Sequence, residues 1–106
     1  MSLKKIQQSV DEWTGQFTPQ YWQPLEIIAT LTEEVGELAR EVNHRFGAKR
    51  KKETEGEQEL SDEIGDILFV LCCLANSQKI DLDDAFKRTM EKKYSRDNDR
   101  YVKKAI

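Results

Sequence analysis

Glu34 and Glu37 stand three residues apart in LTEEVGELAREV, residues 31–42, and Glu41 follows one helical turn later. In ELSDEIGDILFVL the same arrangement returns with Glu59, Glu63 and Asp66. Side chains spaced three and four apart share one side of a helix. Like charges at that spacing repel by a few tenths of a kcal/mol in water, and partial burial raises the cost steeply. Carboxylates held together in that way need protons or a cation. An all-oxygen donor set suits a hard divalent ion, Mg²⁺ or Mn²⁺, and Mg²⁺ commonly shares its coordination with substrate phosphates.

Two elements must position these groups. At about 100° per residue, Ile28, Leu31, Val35, Leu38, Val42 and Phe46 form one apolar stripe, and Glu34, Glu37 and Glu41 lie on its shoulder. Leu60, Ile64, Ile67, Leu71 and Leu74 form a second stripe, with Glu59, Glu63 and Asp66 on its shoulder. Beyond Asp66 the helix is apolar nearly all round, which places Asp66 where the chain enters the core. The polar linker GAKRKKETEGE makes the two helices antiparallel neighbours, bringing Glu34 and Glu37 within about two turns of the height of Glu63 and Asp66. An ExxE pair alone is more often a solvated helix face, because Glu is a good helix former. Two such rows on helices that pack together argue for a site. Gly36 and Gly65 sit inside the acidic motifs at a cost of about 1 kcal/mol each in a helix interior, which predicts close helix approach there.

The remaining elements follow from local punctuation. Ser2 can cap a helix over 3–16 that places Ile6, Val10 and Trp13 on one face. QFTPQYWQP interrupts it, and Pro24 suits the first residue of a helix running to Phe46 and stopping at Gly47. Thr54 and Glu57 fit a capping box, so a third helix is expected from near Gly56 to about Gln78. Asp81 with Asp84 opens a fourth, from Leu82 to about Arg96, and the polar tail RDNDRYVKKAI is expected to fray. No stretch alternates with period two. The expected fold is all-α, an antiparallel bundle of about four helices in a single domain over 1–106.

Composition narrows the function. The chain has 106 residues, 38% hydrophobic and 35% charged, with net charge −3. An acidic balance argues against a dedicated nucleic-acid binder. ILFVLCCLA is too short an apolar run to span a bilayer, and there is no signal-peptide pattern, so a cytoplasmic chain with no membrane partner is expected. Cys72 and Cys73 are adjacent and read as core residues without a metal or redox role.

The sequence Glu33-Glu34-Val35-Gly36-Glu37, followed by Glu63-Ile64-Gly65-Asp66, resembles the EExxE and ExxD motifs of the MazG-like nucleotide pyrophosphohydrolases. The resemblance covers both central helices and most of the chain. It implies that Glu34, Glu37, Glu63 and Asp66 bind Mg²⁺. It also implies cleavage of a nucleoside triphosphate between the α and β phosphates, giving the monophosphate and pyrophosphate, with nucleotide-pool house-cleaning as one role such an activity can serve. Assembly as a homodimer or homotetramer, which would complete the bundle, is implied too. So is a basic segment, matched by Lys93-Tyr94-Ser95-Arg96, whose Lys93 and Arg96 would hold the triphosphate.

On chemical grounds a carboxylate not fully used as a ligand can take a proton from the attacking water. Glu37 and Glu33 are the candidates, Glu33 plotting away from the shoulder stripe. Trp13, Tyr21 and Trp22 can stack on a base or pack the core. Lys49 to Lys52 read as a solvated loop. Two other functions compete. One is a non-catalytic helical interaction module with solvated acidic faces. The other is a redox di-metal carboxylate protein, which needs Glu-x-x-His on two helices, whereas Glu41 and His44 supply one copy.

Overall fold

A computed structural model describes residues 2–48 and 60–105. Among them are four α-helices and no strand: α1 (Leu3–Thr14), α2 (Pro24–Phe46), α3 (Leu60–Ser77) and α4 (Leu82–Lys92), the last continued by a five-residue π-helical turn (Lys93–Asp97). The expected all-α fold is therefore the observed one. The Thr54–Glu57 capping box, the start of the third helix, Glu59 and Lys49 to Lys52 lie outside the described residues.

Local signals explain the helix ends. The Ser2 hydroxyl accepts from the Lys5 amide at 3.2 Å, and Pro24 opens α2 with the Glu26 carboxylate accepting from the Gln23 amide at 3.3 Å. Asp81 caps α4 by accepting from the amides of Asp83 and Asp84. At the end of α3, Lys79 takes a left-handed φ of 56°, the Ile80 amide donates to the Ala75 carbonyl at 2.8 Å and the Lys79 amide to the Asn76 carbonyl at 3.1 Å. That pair of bonds is a Schellman closure.

The α2–α3 hairpin is the main packing unit; α1 lies across α3, and α4 docks chiefly on α1. The Asp83 carboxylate ties these last two together by accepting from the amides of Leu3 and Lys4 at 3.1 and 3.3 Å. Gln7 completes the junction: its Nε2 donates to Asn76 Oδ1 at 3.0 Å and to the Ile80 carbonyl at 2.7 Å, and its Oε1 accepts from the Leu82 amide at 2.9 Å.

Which side of α2 faces α3 differs from expectation. Within α2 the buried residues are Ile27 and Glu41, whereas Ile28, Val35, Val42 and Phe46 from the apolar stripe are exposed. On α3 the buried residues are Glu63, Val70, Cys72 and Ala75, while Ile64 and Leu71 are exposed. From the acidic shoulders Glu41 and Glu63 turn toward the hairpin's interior while Glu37 and Asp66 stay exposed, and much of the apolar stripe faces outward. Helical periodicity identifies the apolar side without identifying what covers it. The glycines also correct an expectation. A Cβ at Gly36 or Gly65 would meet nothing within 4 Å, so neither marks a close approach within this chain.

Candidate active site

The hairpin brings Glu34, Glu37 and Glu63 together, with one carboxylate oxygen from each lying within 4.8 Å of the others. Glu63 is 1% exposed, Glu34 is half-buried and Glu37 is exposed. The cluster thus runs from the packed interior to solvent. Glu34 Oε2 and Glu63 Oε2 are both buried, and neither has a hydrogen-bond partner among the described residues. An unpaired buried carboxylate oxygen is costly in a folded chain, and a ligand that coordinates it removes that cost.

Both carboxyls are held above the usual carboxylate range. For Glu34 the main cause is burial, followed by the charges of Glu37, Asp66, Glu63 and Glu33. For Glu63 it is again burial, then Glu37, Asp66, Glu41 and Asp62. All the charges responsible are negative. Glu33 therefore lies close enough to act on Glu34, although it stands on the exposed side of α2 and outside the converging trio. Asp66 also acts on both buried carboxyls, but it is exposed rather than sunk where the helix enters the core.

Asp66 and Glu34 open onto a cavity of about 500 Å³. Trp13, Phe17, Tyr21, Trp22 and Phe69 give it an aromatic lining. Trp13 anchors this lining, 4.9 Å from the Phe17 ring centroid and 5.8 Å, edge-on, from that of Phe69. The three aromatics singled out from sequence, Trp13, Tyr21 and Trp22, all border the cavity. Phe17 and Phe69 carried no such signal: neither has the polar group that marks Tyr21 and the tryptophans as amphipathic, and Phe69 resembles any core residue in its apolar run. Cys73 lines the cavity as a free thiol, pushed up to about 11 by burial and by Cys72, while Cys72 is fully buried. The two form no bridge, consistent with their reading as apolar packing.

Lys93 and Arg96 are not among the residues that converge. They lie in the π-helical turn beyond α4, where Lys93 Nζ pairs with Asp97 at 3.4 Å. That turn extends from the helix docked on α1, not from the hairpin that carries the carboxylates. His44 is half-buried on α2, and no histidine belongs to the acidic cluster among the described residues. This composition speaks against the di-metal redox reading.

The central hairpin of this all-helical chain thus gathers carboxylates beside an aromatic cavity. The chain belongs to the MazG nucleotide pyrophosphohydrolase family, whose domain model matches residues 23–101. Over 103 residues it is 54% identical to YpjD of Bacillus subtilis (strain 168), covering 97% of this chain and 93% of that protein. It is 36% identical over 75 residues to YvdC of the same organism, covering 65% of this chain and 71% of YvdC. Its structure is similar to the crystal structure of Bacillus subtilis YPJD, with a TM-score of 0.78 and 55% identity over 87% of this chain and 94% of that one. It is equally similar, at TM-score 0.78 and 45% identity, to the crystal structure of a Bacillus-conserved MazG protein described as a nucleotide pyrophosphohydrolase, covering 93% and 96% of the two chains. Among the described residues, no helix is long and apolar enough to cross a membrane.

Proposed function

We propose that this chain, acting as one domain over 1–106, is a Mg²⁺-dependent nucleoside triphosphate pyrophosphohydrolase that cleaves the α–β bond and releases the monophosphate and pyrophosphate. The observation that carries this reading is the pair of unpartnered buried oxygens, Glu34 Oε2 and Glu63 Oε2, within a carboxylate trio that borders an aromatic cavity. Orphaned anionic oxygens fit a hard cation, so Glu34, Glu37 and Glu63 would hold it from one side and Asp66 from the cavity rim. A bound divalent ion would neutralise phosphate charge and make water more acidic. Glu37 combines membership of the trio with solvent exposure, which suits it to take the proton of the attacking water, and Glu33, one helical turn earlier, is the alternative base. The cavity would receive the nucleoside, leaving the phosphates toward the carboxylates.

Two further parts belong to this reading. Leu25, Ile28, Val35, Val42 and Phe46 leave α2 with an exposed apolar side, which a second copy in a homodimer or homotetramer would cover. Lys93 and Arg96, in the turn beyond α4 and not on the carboxylate hairpin, would then grip the triphosphate of another subunit's site.

The test is a panel of ribo-, deoxyribo- and modified nucleoside triphosphates with Mg²⁺, with product identification. Pyrophosphate and monophosphate in equal amounts are expected. Release of orthophosphate in place of pyrophosphate overturns the α–β cleavage, and turnover of none of the panel overturns the reading in favour of the helical interaction module.

A further inference from the structure

The wall of the cavity formed by Pro19, Gln20, Tyr21 and Trp22 has no helix to hold it. Residues 18–22 take part in no backbone–backbone hydrogen bond among the described residues. Side-chain bonds help to fix its place, and the shortest of them run to Asp11 and Asn76, with Thr14 Oγ1 a longer third partner that accepts from Gln20 Nε2 at 3.4 Å. The Tyr21 hydroxyl donates to Asp11 Oδ1 at 2.6 Å and accepts from Asn76 Nδ2 at 2.9 Å. Gln20 Nε2 donates to Asp11 Oδ1 at 3.0 Å and to the Asp11 carbonyl at 3.1 Å. Asn76 is itself held, donating to the Gln7 carbonyl and accepting from Gln7 Nε2, both at 3.0 Å.

Asp11 and Asn76 do not line the cavity. They line a separate polar depression, together with Lys4, Gln8 and Lys79. Their side chains reach the cavity wall through Tyr21 and Gln20. Asn76 also lies on α3, the helix that carries Glu63, Asp66 and the cavity residues Phe69, Val70 and Cys73. A bond from Tyr21 to Asn76 therefore references the wall to the same rigid rod as the carboxylates. Asp11 and residues 15–22 fall outside the span 23–101 matched by the family model, so the match does not describe this arrangement.

We infer that Asp11 and Asn76 are positioning residues for the nucleoside end of the substrate, latching Tyr21 and the Pro19–Trp22 wall to α1 and α3 and so setting how tightly the cavity holds a nucleotide's ring portion. This rests on the function proposed above. Because the latch acts at the nucleoside end, its loss weakens substrate binding more than the chemical step.

The experiment uses the full chain, Mg²⁺ at saturation and a nucleoside triphosphate that the wild type turns over. Asp11 is exposed on α1, so Asp11→Ala is expected to fold with a melting temperature close to that of the wild type. Loss of the hydrogen bonds that order the wall should raise KM about tenfold with kcat within about twofold. Asp11→Asn keeps a carbonyl oxygen to accept from Tyr21 and should restore KM to within about threefold of the wild type. Tyr21→Phe removes both hydroxyl bonds while keeping the ring, and should raise KM as Asp11→Ala does. The double variant should add little, since both changes open one latch. An unchanged KM in Tyr21→Phe and in folded Asp11→Ala, or a fall in kcat at constant KM, overturns the inference and leaves the proposed function standing. Failure of Asp11→Asn to rescue also overturns it. A wild type that releases no pyrophosphate from any nucleotide overturns the function, and this inference with it. Tyr21→Phe keeps the test decisive if Asp11→Ala proves unstable.

Discussion

Near the C-terminal end of α3, Asn76 sits in a part-buried polar junction where Gln7 uses both its amide nitrogen and its amide oxygen, and Asn76 uses both of its own. Thirteen residues earlier on the same helix, about 20 Å away at 1.5 Å per residue, Glu63 is buried beside other carboxylates, with an oxygen that has no partner among the described residues. Both regions bury polar groups between helices. One is satisfied by the chain itself, and the other is not. A satisfied junction stabilises and orients elements, whereas an unsatisfied one costs stability unless something outside the chain completes it. The contrast separates a structural polar cluster from a site for a ligand, and charge alone does not make that separation.

The sharpest way to break the contrast is to neutralise the unsatisfied side. Glu63→Gln keeps the shape, removes a buried negative charge and supplies an amide donor to the neighbouring carboxylates. Pyrophosphate release is expected to fall at least about a thousandfold, roughly 4 kcal/mol of transition-state stabilisation, while the metal-free chain unfolds at the same or a higher temperature than the wild type. A variant that keeps more than a tenth of the activity would place the metal elsewhere. The stability result alone does not distinguish enzyme from interaction module, because relief of repulsion is expected in both.

Metal addition makes that distinction. An ion that binds the folded chain and not the unfolded one stabilises by about 2.7 kcal/mol at a hundred times its dissociation constant. For a domain of this size that raises Tm by roughly 10 °C. Calorimetry with and without Mg²⁺ should show the rise in the wild type and its loss in Glu63→Gln and Glu34→Gln. A wild-type Tm indifferent to Mg²⁺ and Mn²⁺ would equate the acidic cluster with any solvated helix face.

The satisfied region should respond in the opposite sense. Gln7→Ala leaves Asn76 Oδ1, the Ile80 carbonyl and the Leu82 amide without their partner. The expected loss is about 2 kcal/mol in denaturant unfolding, present equally with and without Mg²⁺. A loss that Mg²⁺ abolishes would mean that the two ends of α3 are not independent.

How much of this was legible in the sequence depended on range. Ser2, Pro24, Gly47 and Asp81 act within one helical turn, and the helix ends they mark are where the chain turns. Pairing Glu34 and Glu37 with Glu63 needed only helical spacing and an antiparallel hairpin. The facing of the hairpin was harder to read. Ile28, Val35 and Val42 fall on the core side of any periodic plot, yet they point outward while Glu41 and Glu63 point in. Nothing in a periodic pattern states whether an apolar side is covered by the same chain or by another. The π-helical turn at Lys93–Asp97 and the Tyr21 bonds to Asp11 and Asn76 were also invisible. The turn departs from a continuous helical reading by a local change of register, and the Tyr21 bonds join residues 10 and 55 positions apart.

The smallest expected effect concerns pH, and its sign follows from the raised carboxyls. Glu34 and Glu63 hold protons in the metal-free fold more readily than in the unfolded chain, because burial and neighbouring carboxylates disfavour their ionised forms. Where the folded state binds more protons, stability falls as pH rises. The metal-free chain should therefore gain stability from these two groups as pH drops from neutral through their raised values, with no further gain below the ordinary Glu value of about 4.3. Protons and Mg²⁺ compete for the same oxygens, so the Mg²⁺-dependent rise in Tm should shrink over the same window. The two melting curves, plotted against pH, should converge on the acid side. In Glu63→Gln both the gain contributed by Glu63 and the convergence should disappear. Parallel wild-type curves would mean that the carboxyls that titrate are not those that bind the ion, and the distinction drawn between the two ends of α3 would fail at its most specific point.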